Sequence, residues 1–318
     1  MSNITLQINL CIGDIAYARA TIPPLVEAHR KNVYEKLAIV DCCRPGKTAV
    51  ASLDKQLAAS EFSLRVSQIC SIAEELKSQG YFDRIVYFYP NDPLFSVISR
   101  KYLRNFITQT HDWKGVALMA YLAAFEICHT PFILHYDADM FLYQEAGYDW
   151  LVEAKNIMDL DPKAVAATPR IYPPLNSGTD PASLYLGKPM KSVKDAWCND
   201  FFSARCFLMD LSKLRTYLPL LKGRFLLETV VRKYLNRSYP PSVELMIYRC
   251  IGKAGDYNLY LKSKKAWLLH PPLSKTPRFI ELLPRIQQAV SLGKVPPGQG
   301  GWENINSLSL WEEYLGKI

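Results

Sequence analysis

Pro131-Phe132-Ile133-Leu134-His135-Tyr136-Asp137-Ala138-Asp139-Met140-Phe141-Leu142 is the stretch on which the fold turns. Phe132 to Leu134 is an apolar run of the length of a short buried strand. It leads into two acids separated by one residue. Side chains alternate along a strand, so Asp137 and Asp139 are expected on one face at its carboxyl end. In an open α/β sheet, ligands sit at that end. Two carboxylates there repel unless a cation joins them. A hard divalent ion such as Mg²⁺ or Mn²⁺, shared with phosphate oxygens, suits such ligands. Pairs of this spacing also occur by chance as solvated loop acids. Here apolar sequence resumes at Met140, and a charge wedged between apolar segments needs a partner.

Upstream of this stretch the chain alternates between strand-like and helix-like segments. Ile4 to Ile12 is β-rich and closes at Gly13. A helix is expected from Asp14, its N-cap, to Lys31, kinked or restarted by Pro23-Pro24. Lys36 to Val40 reads as a second strand ending in Asp41. An acid at that position can accept hydrogen bonds from a base or ribose, and a solvated loop acid is the other reading. Arg44-Pro45-Gly46-Lys47-Thr48 matches the end of a phosphate loop. The motif's leading Gly would fall on Asp41, and no helix opens there, so it is rejected. A helix over Phe62 to Gln79, a strand over Asp83 to Tyr89, a helix bearing Ile98, Tyr102 and Phe106, and an apolar helix over Trp113 to Cys128 follow. Four such rounds predict an α/β fold with a mostly parallel sheet.

Downstream the rhythm changes. Ala164 to Arg170 reads as a strand. The Pro/Gly/Ser-rich run Ile171 to Pro189 is long for a loop, which suits a functional or mobile segment. Phe201 to Met209 is expected as a strand, followed by a helix capped by Asp210. A further helix is read over Val243 to Ala254, stopped by Gly255, with strands over Tyr257 to Leu261 and Ala266 to Leu269. His270, a lone His beside apolar residues, reads as structural. Ser307 to Leu315 is a short terminal helix whose Leu308, Trp311 and Leu315 share one side. Core packing is its main reading, and peripheral membrane contact is the other.

With 318 residues, 49% hydrophobic and 21% charged, the chain has the composition of a soluble globular protein. Its net charge of +8 favours anionic partners. No basic run, zinc-finger spacing or RNA-binding aromatic motif points to nucleic acid. The eight Cys form no Cys-x-x-Cys pair and sit mostly in apolar segments, which predicts free thiols in a reducing, cytoplasmic setting. No stretch reaches the ~20 apolar residues of a membrane span, and the N-terminus lacks the pattern of a signal peptide. The sequons at Asn3 and Asn236 carry little meaning in that setting.

Taken in order, these elements resemble a nucleotide-sugar glycosyltransferase of the GT-A type, closest to family 2, over about residues 4 to 272. The match consists of the strand Ile4–Cys11, the strand ending in Val40-Asp41, the Asp137/Asp139 pair, the strand Phe201–Met209, the helix Glu244–Gly255 and the late His270. The resemblance implies a Rossmann-like, mostly parallel sheet flanked by helices. It implies a GT-A domain over 1–275, with a donor half (1–142) and an acceptor half (143–275), and a helical extension over 276–318. The implied reaction moves a sugar from a nucleoside-diphosphate sugar to a hydroxyl on a saccharide or a lipid-linked acceptor. Asp41 would touch the nucleoside base. Asp137 would approach the ribose or a Mn²⁺ or Mg²⁺ ion, Asp139 would bind that ion, and His270 would be a further ligand.

Family 2 members carry an adjacent Glu-Asp pair opening a helix that ends in Ala-Gly. Registering Lys253-Ala254-Gly255 on that ending puts Val243-Glu244 on the pair, so the first acid is missing and Glu244 is the expected base. Asp200 is the rival, and each is otherwise an ordinary acid at a helix start or loop. Family 2 implies inversion, while Asn199 to Leu211 also resembles family 8, whose members retain configuration. Two other readings stay open. One is a nucleotidyltransferase making a sugar nucleotide, although the loop after the first strand holds one Gly and no Lys. The other is a non-catalytic sugar- or nucleotide-binding module. A cytoplasmic protein of this kind would act on a soluble acceptor or at the inner membrane face.

Overall fold

Eleven strands, here β1 (Ile4–Leu10), β2 (Glu35–Asp41), β3 (Arg84–Phe88), β4 (Phe132–Asp137), β5 (Phe141–Gln144), β6 (Ala164–Thr168), β7 (Lys191–Val193), β8 (Ala196–Asn199), β9 (Cys206–Asp210), β10 (Tyr257–Leu261) and β11 (Ala266–Leu269), organise the described residues. The computed structural model describes residues 3–46, 57–175, 191–193, 195–272 and 275–317. Most of the Pro/Gly/Ser-rich run singled out in the sequence, 176–190, lies outside them.

Nine strands form one sheet in the order β3-β2-β1-β4-β9-β6-β10-β8-β7. β3, β2, β1 and β4 are mutually parallel, and β10 runs parallel to β6. β9 runs against β4 and β6, and β8 runs against β10 and β7, so the other seven strands share one direction. The expectation of a mostly parallel sheet flanked by helices holds. β5 and β11 pair antiparallel in a small second sheet.

The parallel half reads as continuous apolar sequence because helices cover both its faces. One face packs on α1 (Ala18–His29) and α2 (Ala59–Ser78), through Ile22, Leu25, Val26, Ile69 and Ile72. The other packs on α3 (Pro93–Leu103) and α4 (Met119–Ile127), through Ile98, Tyr102 and Leu122. From β1 the chain steps to β2 and β3 on one side and returns to β4 on the other. That reversal makes the carboxyl ends of β1 and β4 the switch point of the sheet, where a crevice opens.

Several elements depart from the sequence reading. Asp14 does not cap α1. It ends a short 3₁₀ turn, Ile12–Asp14, and α1 runs from Ala18 through Pro23-Pro24 as one continuous helix. The helix expected from Trp113 starts only at Met119, because Thr110 C=O accepts from Leu118 N–H and Met119 N–H and folds the preceding residues into a turn. The strand expected from Phe201 starts at Cys206. Asn258 Nδ2 and the Tyr260 hydroxyl both donate to Phe201 C=O, at 2.7 and 2.9 Å, and hold 201–205 as a loop. The helix Val243–Ala254 is as expected: Ser242 Oγ caps it at 3.3 Å from Leu245 N–H, and Gly255, at φ +72°, ends it in the left-handed region. The helix Pro277–Ser291 and the terminal helix Leu308–Leu315 bury Phe279, Ile286, Trp311 and Leu315 against Phe141, Trp267 and Leu269 of the small sheet. The terminal helix therefore serves core packing, the main reading of its sequence.

Candidate active site

Asp137 is the last residue of β4, and Asp139 lies in the turn just beyond it. A crevice of about 660 Å³ at the switch point is lined by Asn9 to Asp14, Tyr17, Asp41, His111, Tyr121, Asp137, Asp139 and Lys275. A smaller chamber of about 220 Å³ adjoins it and is lined by Asp112, Lys114, Tyr121, Asp137, Arg205, Ser242 and Glu244. Tyr121 and Asp137 border both spaces and so stand between them.

Asp139 is buried, and its Oδ2 is the meeting point of two cationic or polar groups. Lys275 Nζ donates to it at 2.7 Å, and His270 Nε2 lies 3.4 Å away. Burial alone would raise the Asp139 carboxyl. The close approach of His270, with the Lys275 ammonium, more than reverses this and holds it well below the usual carboxylate range. Its other oxygen, Oδ1, is buried without a hydrogen-bond partner. His270 Nδ1 donates to Pro271 C=O at 2.9 Å, which leaves Nε2 aimed at Asp139.

Lys275 also donates to the Tyr17 hydroxyl at 2.6 Å and lies 4.2 Å over the Tyr17 ring. The Tyr17 hydroxyl in turn donates to Asp14 Oδ1 at 2.5 Å, and Asp14 Oδ2 accepts from Cys11 N–H at 2.7 Å. Burial pushes the Asp14 carboxyl up to about 6, against the lowering hydrogen bond from Tyr17 and with a further rise from the charge of Asp139. A chain of contacts thus runs from the β1 turn to the second acid of the pair.

Asp137 is held differently. Its Oδ1 accepts from the Tyr121 hydroxyl and faces His135 Nε2 at 3.2 Å, while His135 Nδ1 meets Gln7 Oε1 at 2.5 Å inside the sheet. Asp41, buried at the end of β2, accepts from Cys43 N–H at 2.9 Å through Oδ1. Its Oδ2 faces His111 Nε2 at 3.3 Å, out of line for a hydrogen bond.

Glu244 opens its helix into the smaller chamber, with Oε1 accepting from Ala204 N–H at 2.9 Å. Burial, together with the charge of Asp137, raises its carboxyl above the ordinary value, partly offset by the Ala204 hydrogen bond and by Arg205 and Lys114. Asp200 is elsewhere. It lines a separate cavity of about 440 Å³ with Lys222, Arg224, Phe225, Arg249 and Lys253. A Cβ on Gly252 would sit 3.0 Å from Asp200 Oδ2, so the Asp200 carboxylate would have to shift to admit one.

The structure therefore brings together Asp41, Asp137, Asp139, His270 and, across Asp137, Glu244, and leaves Asp200 apart. Tyr17, His111, Tyr121, His135 and Lys275 were missed in the sequence. A Lys five residues past His270 is the one local signal for Lys275. The others are joined to the acids only by the fold.

Among the described residues no three His, Cys, Asp or Glu side chains gather as a ready-made metal cage. Asp139, with its Oδ1 orphaned and His270 beside its Oδ2, still fits a divalent ion, which commonly takes one or two protein ligands and completes its shell with substrate phosphates and water. Asp139 and His270 would hold it, and Lys275 would have to yield Oδ2 to it.

No protein-family model and no curated protein sequence matches the chain. Among solved structures, the galactosyltransferase LgtC in complex with donor and acceptor sugar analogs is 12% identical, with 99% of this chain and 96% of that one covered and a TM-score of 0.38. TarS from S. aureus in complex with UDP-GlcNAc is 10% identical over 84% of this chain and 58% of that one, at a TM-score of 0.39. The UTP-bound UGPase from Acinetobacter baumannii is 8% identical over 85% of this chain and 88% of that one, at 0.41. At such identities and TM-scores these likenesses assign no activity to this chain.

Proposed function

We propose that this protein is a GT-A type glycosyltransferase that moves a sugar from a nucleoside-diphosphate sugar to a hydroxyl acceptor, with inversion. One observation carries the reading: two acids at the switch point front a crevice, and a half-buried carboxylate, Glu244, lines an adjoining chamber with the first of them. The larger space takes the donor. Asp41 and His111 meet the nucleoside. Lys275 and Asp139 lie at the diphosphate, where a bound Mn²⁺ or Mg²⁺ would neutralise charge developing on the leaving group. The smaller chamber takes the acceptor, a saccharide or lipid-linked alcohol.

In the transfer, the acceptor oxygen forms a bond to the anomeric carbon as the bond from that carbon to the phosphate oxygen breaks. The nucleoside diphosphate leaves, and Glu244 takes the acceptor's proton. A base is best when its pKa approaches the working pH, and the raised Glu244 carboxyl moves in that direction. Asp137, between the two spaces, positions both reactants through Tyr121 and His135.

A nucleotidyltransferase would cradle a triphosphate in a cationic, Gly-rich loop after β1. Here that loop is a 3₁₀ turn closed on the buried Asp14, which argues against it. Incubating the protein with UDP- and GDP-sugars and a panel of alcohol acceptors tests the choice. Release of a nucleoside diphosphate supports transfer. Release of pyrophosphate from a nucleoside triphosphate and a sugar phosphate, with no diphosphate release, overturns it.

A further inference from the structure

The helix Gly223–Tyr234, unforeseen in the sequence, carries a face that the described residues leave open. Its inner side buries Phe225 and Thr229. On the outside, Leu227, Val231, Tyr234 and the following Leu235 are 67%, 54%, 84% and 59% exposed. Their spacing places them along one side of the helix. Other helices expose fewer large apolar side chains, Leu64 on Ala59–Ser78 and Val152 and Leu160 on Trp150–Leu160, as is ordinary on a protein surface.

Cations crowd this helix, although Lys222 donates to Tyr217 C=O at 2.7 Å and Lys233 lies 4.7 Å over the Phe106 ring. Residues 222–237 hold Lys222, Arg224, Arg232, Lys233 and Arg237 against one acid, Glu228. Glu228 is already shared between Arg224 and Arg249, each at 3.3 Å. Beside the first turn, the cavity that holds Asp200 adds Arg249 and Lys253 to Lys222 and Arg224. An apolar stripe edged by Lys and Arg, with an aromatic residue on it, has the make-up of a helix that lies in a membrane interface.

We propose that this face docks on an anionic lipid surface, with Leu227, Val231, Tyr234 and Leu235 in the headgroup boundary and the surrounding cations on lipid phosphates. A second copy of the chain fits less well. An isologous dimer would set one cationic face against another, and four side chains fall short of the ~800 Å² per partner of a standard interface. None of the four apolar residues borders the Asp137–Asp139 crevice, so the surface stands apart from the donor-site reading.

Flotation of the full chain with phosphatidylcholine vesicles, with and without phosphatidylglycerol, tests this. The wild type is expected to float with the anionic vesicles, little with phosphatidylcholine alone, and less as salt is raised. Leu227→Gln/Leu235→Gln should weaken partitioning about tenfold or more, and Arg232→Gln/Arg237→Gln by a similar factor, with unchanged melting temperatures. If either variant fails to fold, the other still decides. Equal binding to both vesicle types, or variants that float like the wild type, overturns the proposal. A concentration-dependent dimer dissolved by Leu227→Gln/Leu235→Gln also overturns it, by giving the face to a second copy.

Discussion

Lys275 and Asp139 make the sharpest energetic test of the site. Their atoms lie 2.7 Å apart, Asp139 is buried, and the Lys275 side chain is 30% exposed. At an effective dielectric of about 20 the Coulomb attraction is roughly 6 kcal/mol before desolvation. Burying the carboxylate offsets much of that, and solvent reaching Lys275 screens more. His270 stays near Asp139 when Lys275 is removed, so the carboxylate is not wholly abandoned. The net coupling left is about 1–3 kcal/mol. Lys275→Met should therefore cost about 2 kcal/mol of unfolding free energy in urea, and most of that cost should vanish when Asp139→Asn is already present. A double-mutant cycle over wild type, both single variants and the double variant reads the coupling directly. A coupling below about 0.5 kcal/mol would refute the idea that Lys275 neutralises the buried acid.

Four other outcomes follow from particular residues. Glu244→Gln should lower transfer about 10²–10⁴-fold while nucleotide affinity stays as in the wild type, since the group acts as a base and not as a donor contact; Asp200→Ala, changed in the separate cavity, should leave turnover intact in the same assay. His29, fully buried against Tyr136 and Trp150, has its pKa lowered from 6.5 to about 3 by burial. Because the unfolded chain takes the proton first, this term is fully favourable above pH 6.5 and is lost as pH falls towards 3. By pH 4 the wild type should lose up to about 3 kcal/mol more than His29→Gln, read from urea melts at each pH. Tyr121→Phe should impair transfer through misplacement of Asp137, with a smaller loss than Asp137→Ala, measured as the ratio of the two turnover numbers.

Where local signals and tertiary packing agree, the chain could be read directly. The helix from Val243 carries its cap at Ser242 and its stop at Gly255, and β10 and β11 are short apolar runs between clear breaks. Phe201 to Arg205 has strand-like composition, yet Asn258 and Tyr260 claim the Phe201 carbonyl from a distant strand. The helix over Gly223–Tyr234 buries Phe225 and Thr229 on one side and exposes Leu227, Val231 and Tyr234 on another, so no single core-facing stripe stands out in its sequence. The acid pair was visible because both members lie beside one strand. Tyr17 and Lys275 were not, because 258 residues separate them and only the meeting of β1's turn with the segment after β11 joins them.

The central claim is that the crevice holding Asp137 and Asp139 binds a nucleoside diphosphate. Calorimetric titration of UDP and GDP, with Mn²⁺ and then with EDTA, on wild type and Asp139→Ala tests it most directly. The account predicts saturable binding of one nucleotide that strengthens with Mn²⁺ and loses that strengthening in Asp139→Ala. Tight binding indifferent to both the ion and the substitution, or no binding of either nucleotide, would contradict it.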